Sequence, residues 1–305
     1  LLLVISPKLV FPDFYLLNDK GENSSKMIPF FSIIGGWWKY LFYIVMINFL
    51  GYRYSAKHEK KYFCLAILLF LFSTYLILGT SRWAIIFHFV VTFYLFRIIF
   101  NRTLVKKLLV FVPLFVCLFF LITIYKFQND LGSDYSLINF ADLFVSQLQD
   151  YFSGPSLIGH AIDMGHKYNI TFETCWNDFV GAIPVLSKTV DQMNRTNILF
   201  NQYVISPDTE WFTQIIPATG LGYIYFGSMF APIFTVAFNI LGLHFDYKLL
   251  NTSNLFVKYV LIYCSLWGGL SICFNTQIPF GNVVVYIFPL YLFYRLFSKL
   301  TIKLA

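Results

Sequence analysis

Charge is what this sequence has least of. Only 15 of its 305 residues are acidic, charged residues make up 12% and hydrophobic ones 58%, and the mean hydropathy is +0.67. A water-soluble chain of this length needs a larger polar shell, so a soluble globular protein is excluded. Of five cysteines, Cys64, Cys117, Cys264 and Cys273 fall within apolar runs and only Cys175 lies in a polar segment. That spacing offers neither a disulfide framework nor a thiolate metal site. The phosphate-cradling loop of an ATP-driven pump, the dinucleotide fingerprint, H-E-x-x-H and the nucleophile elbow are all missing. Ionisable pairs deep in the apolar runs, expected of a secondary transporter, are nearly absent too. There is no internal repeat and no low-complexity tract, and "NDKGENSSK" at 18 to 26 reads as an exposed loop. The chain opens on Leu-Leu-Leu without a basic leader and cleavage site, so further upstream sequence is expected and any count of spans is a lower bound.

What the sequence does have is long apolar runs. About 20 such residues cross a bilayer as a helix, and runs of that kind lie near 30–51, 62–79, 83–100, 108–125, 219–243, 258–275 and 282–297. The expectation is an all-α, polytopic transmembrane helix bundle of at least seven spans in a single integral membrane domain. Pro113, Pro232 and Pro289 fall inside these runs, which membrane helices tolerate. The net charge of +7 does not point to nucleic acid, because the bases flank the runs instead of clustering on one face. Arg53, Lys57, Lys60 and Lys61, then Arg97, Arg102, Lys106 and Lys107, then Lys248 and Lys258, then Arg295, Lys299 and Lys303 occupy alternate connections. Those connections, and the C-terminus, are expected on the cytoplasmic side. Only Glu59 and Asp246 among the acids share that side.

The connection at 126–218 is by far the longest and falls on the outer side, which makes it the place to look for function. "NFADLFVSQLQDYFSGP" sets Phe140, Leu143, Phe144, Leu148, Tyr151 and Phe152 on one helical stripe. "PSLIGHAIDMGHKY" predicts a second helix with Pro at its start, and "FETCWNDFVGAIP" a third ending before Pro184. The chain then returns through "ILFNQYVISPDTEWFTQIIPATGLGYIYFG", where Ser206 suits an N-cap, Pro207 the first helical position, and Asp208 and Glu210 the first turn.

Several side chains admit both a plain reading and a chemical one. Arg82, in the tight turn Thr80-Ser81-Arg82, is either a snorkelling interfacial arginine or a ligand for an anion; it lies on the outer side, against the positive-inside bias. A planar guanidinium matches phosphate bidentately. Arg195 is a second outer-side cation, and Lys39 and Lys126 read as snorkelling residues. Asp208 and Glu210 are explained by a helix start, or are carboxylates able to serve as a general base. His160 and His166, six apart, do not share a face well enough for a metal pair, while Asp163 and His166 make an i, i+3 pair that can orient an imidazole. His88 and His244 read as incidental to chemistry.

A Gly-x-Ser-Arg turn between two spans ("GTSR"), a long outer loop with "YFSGP", and re-entry through an acid-rich helix start leading to "TGLGYIYFG" together resemble the O-antigen polymerase family, Wzy, across most of residues 62 to 245. The O-antigen ligases share that architecture. The resemblance implies a metal-independent glycosyltransferase of the bacterial inner membrane, needing no cofactor, acting at the periplasmic face on undecaprenyl-diphosphate-linked oligosaccharides, with a chain-length regulator as a possible partner. By that resemblance Arg82 sits at the family's Ser-Arg position and would hold diphosphate, with Arg195 as a weaker second clamp. The ligases carry His-Asn where this sequence has Asp208-Thr209-Glu210, which favours the polymerase. Glu210, then Asp208, then His160 and His166 are the base candidates, and Tyr151, Phe152, Trp176, Tyr203 and Trp211 offer faces for stacking sugars. A lipid-linked oligosaccharide flippase and a ligase are the competing readings.

Overall fold

Helix is the form in which an apolar segment satisfies its own backbone, and that is what the apolar runs adopt. In the computed structural model the described residues are 29–77, 82–117, 121, 155–168, 170, 172–183, 186–191, 193–204, 215–271 and 275–301. Every regular element among them is helical, and none is a strand. The all-α expectation therefore holds for them. The chain divides into two compact units, residues 1–136 with 253–259 and residues 137–252 with 260–305.

The first unit begins with α1 (Pro29–Lys57), α2 (Lys60–Ile77) and α3 (Arg82–Ile99), followed by the short α4 (Arg102–Lys106) and a 3-10 turn, Lys107–Val110. α1 and α2 pack as a helical hairpin whose tight corner puts His58 at φ 52, a left-handed residue just past a helix end. Tyr43, Ile44, Ile47, Ala66, Phe70, Phe87, Val91, Leu95 and Phe96 fill the interior. Polar groups thread this apolar core. Tyr43 Oη donates to Thr92 Oγ1 at 2.7 Å, Ser73 Oγ and His88 Nε2 lie 2.6 Å apart, and the His88 ring stands edge-on to Tyr43 at 4.6 Å. His88, which the sequence alone left without a role, thus ties α3 to α2. The run expected to span 108–125 is described as helix over 111–117 and at 121.

The second unit contains α5 (Pro155–Lys167), α6 (Phe172–Gly181), a 3-10 turn at Ser187–Thr189, α7 (Thr196–Val204), α8 (Ala218–Phe226), a 3-10 turn at Ser228–Phe230 and α9 (Ile233–Asn251). Next come the later residues of α10 (Leu255–Gly269), then α11 (Gln277–Asn282), a π turn at Val283–Ile287 and α12 (Phe288–Thr301). Leu157, Ala161, Met164, Phe200, Ile216 and Leu221 form its core. α5 and α6 match the second and third helices expected in the outer connection. The first, at 139–155, lies outside the described residues apart from Pro155, which starts α5.

The run read as one span at 219–243 is interrupted. α8 stops at Gly227, whose φ of 76 suits glycine alone, and α9 restarts after Pro232, which cannot donate to the preceding turn. Gly222 makes the close return possible, because a Cβ there would come within 2.1 Å of the Ala231 carbonyl oxygen. Further along, Gly242 and Gly268 let α9 and α10 approach closely, a Cβ on Gly268 falling 2.9 Å from the Gly242 Cα. Near that crossing the Ser265 hydroxyl donates to Asp246. Among the described residues two helical stretches, Lys60–Ile77 and Ser228–Asn251, are long and apolar enough to cross a membrane, and Trp83–Ile99, Leu255–Gly269 and Gln277–Phe293 are shorter apolar helices.

Candidate functional site

Residues three, four and seven apart share a helix face, so Thr174, Asn177, Asp178 and Gly181 line one side of α6. That side is polar yet buried: Thr174, Asn177 and Asp178 are all closed to solvent. It meets the start of α7. Thr174 Oγ1 donates to Asn194 Oδ1 at 3.3 Å, and the Thr196 backbone N–H donates to Asp178 Oδ1 at 3.0 Å. The Tyr225 hydroxyl, from α8, donates to Asp178 Oδ2 and lies 2.7 Å from Thr196 Oγ1. Arg195 brings its Nε to 3.8 Å from Asp178 Oδ1, near enough for an ion pair and too far for a hydrogen bond.

Local sequence explains the arrangement. The Arg195 carbonyl accepts from Ile198 and Leu199, each at 3.0 Å, so Arg195 is the N-cap residue of α7 and cannot fold its own long side chain back as a cap. Asp178 fills that place from another helix, at the positive end of the α7 dipole. Among the described residues Asp178 is the one Asp, Glu, Lys or Arg that is fully buried. Burial lifts its carboxyl above the ordinary range, and the bonds from Thr196 and Tyr225 and the Arg195 charge recover part of that shift. The neighbouring Cys175 thiol is pushed up to about 11 by burial and then by the Asp178 charge, which makes it a poor nucleophile.

The residues singled out from sequence fall in several places. Arg195 belongs to this cluster, with a side chain 19% exposed, so it is no solvated loop charge. Arg82 is the first residue of α3. His160 is exposed on α5, its ring 6.4 Å from that of Tyr203. His166 Nε2 lies 3.2 Å from the Tyr223 hydroxyl, because α8 packs along α5 and brings that group within reach. Lys167 Nζ sits over Tyr203 at 5.2 Å and over Tyr168 at 5.5 Å, so it occupies aromatic surface that a sugar would need. Trp176 is 58% exposed and, two positions before Asp178, points to nearly the opposite side of α6. Tyr151, Asp208, Glu210 and Trp211 lie outside the described residues.

Sequence reasoning passed over Asp178 and Tyr225. Their signals were a carboxylate on the inward face of an amphipathic helix, and the second tyrosine of "TGLGYIYFG". Among the described residues no three His, Cys, Asp or Glu side chains converge as a metal site would require. Compared with protein families, with curated proteins and with solved structures, the chain matches none.

Proposed function

We propose that this chain is a membrane-embedded glycosyltransferase that polymerises undecaprenyl-diphosphate-linked oligosaccharide repeat units into O-antigen or a related surface polysaccharide. It works at the periplasmic face of the bacterial inner membrane, through a bundle of at least seven spans with the 126–218 connection outside and the C-terminus in the cytoplasm. The growing chain leaves its diphosphate carrier as the hydroxyl of an incoming unit attacks, so the site needs cations for the departing diphosphate and a base for the hydroxyl proton. Arg82 is the first choice of cation and Arg195 a separate second one, each tested by its own substitution, and Glu210 is the first choice of base.

The observation that carries this reading is the Asp178–Arg195 cluster. The one fully buried Asp, Glu, Lys or Arg among the described residues lies in the 126–218 connection, and an arginine there stands beside that carboxylate. The fully buried polar side chains described in α1, α2 and α3 are Tyr43, Ser73, Thr74, His88 and Thr92. A flippase that carried an anionic headgroup across would be expected to line its path with charge. The outer surface of α9, where Leu243 is 69% and Leu250 78% exposed, suits lipid better than water.

Deleting the gene in its host and separating the surface polysaccharide on a gel tests the reading. Single capped repeat units in the mutant agree with a polymerase. Loss of all surface units points to a flippase, and unattached polymer to a ligase. Arg82→Lys, which keeps charge and loses the fork, is expected to abolish long chains at wild-type expression; normal chains in that variant remove Arg82 from the diphosphate role.

A further inference from the structure

The first backbone N–H groups of a helix have no acceptor within it and are met by a side chain, by water or by a ligand. At the start of α8 the N-cap residue is Pro217, which makes no side-chain cap. Among the described residues no group accepts from the N–H of Ala218, Thr219 or Gly220, and Pro217, Ala218 and Gly220 are buried. A second donor stands at the same place. The Ile216 N–H, just before α8, donates to Asn275 Oδ1 at 2.7 Å. That bond decides which end of the amide is oxygen, so Nδ2 is a donor held beside the helix start. Asn275 is 8% exposed, and no described residue accepts from its Nδ2, which keeps some open surface, unlike the closed Thr276 Oγ1 and Gln277 Nε2 that follow it in the chain. Donors without acceptors at the positive end of a helix dipole suit an anion.

Helix packing gives this start a depth. Thr219 Oγ1 lies 3.4 Å from Thr235 Oγ1 and Gly222 abuts Ala231, so the 9 residues of α8 run back antiparallel along α9. Thr235 stands about 10 Å along the axis from Ser228, where the apolar stretch Ser228–Asn251 begins. With that stretch crossing the membrane, α8 is a half-helix too short to cross, and its start lies below the rim. Broken helices of this kind are tolerated at such depth where they line a site, and their N-termini face anionic groups. We propose that the start of α8, together with Asn275, is a phosphate-binding site on a re-entrant half-helix. Its place in the outer leaflet, and a lipid-linked diphosphate as its ligand, rest on the polymerase reading; the donor set does not.

The test is calorimetric titration of the full chain in detergent, with undecaprenyl diphosphate and inorganic pyrophosphate as separate probes and thermal unfolding to follow each variant's fold. A preference for the lipid of about tenfold or more makes the ligand a lipid-linked phosphate, and equal affinity makes it free phosphate. Binding of neither probe overturns the proposal. Asn275→Asp keeps an oxygen for the Ile216 N–H and turns the Nδ2 donor into a second oxygen, so it is expected to weaken binding about tenfold. Pro217→Ser supplies a hydroxyl cap for the uncapped N–H groups. It is expected to raise the melting temperature by about 2 °C and to weaken binding about fivefold, because the cap competes with the anion. Wild-type affinity in both variants overturns the proposal, and a raised melting temperature in Pro217→Ser then leaves α8 an ordinary helix start. If Asn275→Asp does not fold, Pro217→Ser decides alone. A separate assay of chain growth keeps the two claims apart. The expected binding pattern without chain growth leaves the site standing and removes the polymerase reading, whereas chain growth by a protein that binds neither probe does the reverse.

Discussion

The Asp178 carboxylate accepts the backbone N–H of Thr196 at 3.0 Å and so caps α7 from a helix 18 residues away in sequence. The same side chain takes the Tyr225 hydroxyl and stands beside Arg195, which makes it the junction of α6, α7 and α8. Asp178→Ala leaves the Thr196 N–H and the Tyr225 hydroxyl without this acceptor and removes the charge beside Arg195, and is expected to cost about 3 kcal/mol, as for breaking a buried ion pair. Asp178→Asn retains an acceptor for Thr196 and is expected to cost about half as much. Thermal unfolding in detergent measures both, and equal losses would remove the capping role.

The pH dependence of that junction has a definite sign. Burial raises the Asp178 carboxyl above its unfolded value, so the folded state binds this proton more tightly than the unfolded one. The resulting stability is fully present below the unfolded pKa and is lost as pH rises through the raised one. The melting temperature of the wild type minus that of Asp178→Asn is expected to fall as pH rises from about 4 to about 8. A difference that grows with pH contradicts the direction.

Two glycines give opposite expectations for one substitution. Gly222→Ala drives a Cβ into the Ala231 carbonyl oxygen, 2.1 Å away, with backbone on both sides. It is expected to destabilise by about 3 kcal/mol or more, the range of severe overpacking. Gly159 lies within α5 and a Cβ there meets nothing within 4 Å, so Gly159→Ala is expected to stabilise by about 0.5 to 1 kcal/mol through helix propensity. Paired thermal melts settle the comparison.

Inside the first unit Tyr43 donates to Thr92 at 2.7 Å, with both residues buried. Tyr43→Phe removes the donor and keeps the ring against His88, so a cost of about 1 kcal/mol is expected. Adding Thr92→Val to Tyr43→Phe is expected to recover part of that loss, because it removes the orphaned hydroxyl. No recovery in the double variant would mean that Thr92 bonds elsewhere.

The apolar runs made the helices legible, because hydropathy alone dictates internal backbone bonding in such segments. α5 and α6 were legible for another reason, a proline start and a proline just past the end. The break at Gly227 was not, since the residues on either side are mostly apolar and membrane helices tolerate a proline such as Pro232, so the positive φ of Gly227 had to be seen. Sequence distance suggested Asp163 beside His166 and could not show Tyr223, which helix packing brings from 57 positions away. The same limit hid the site: Asp178 and Tyr225 lie 47 positions apart, and no periodicity within one helix tells which helix will face it. Arg195 was found by its charge and by the side of the membrane expected for its connection, while the carboxylate beside it was visible only in three dimensions.

The most direct measurement reconstitutes the purified chain in sealed proteoliposomes with undecaprenyl-diphosphate-linked repeat units and follows both the length and the leaflet of the saccharide. The account predicts a ladder of two or more units, with one undecaprenyl diphosphate released for each linkage made. Units that cross to the opposite leaflet at unchanged length would contradict it and identify a transporter instead.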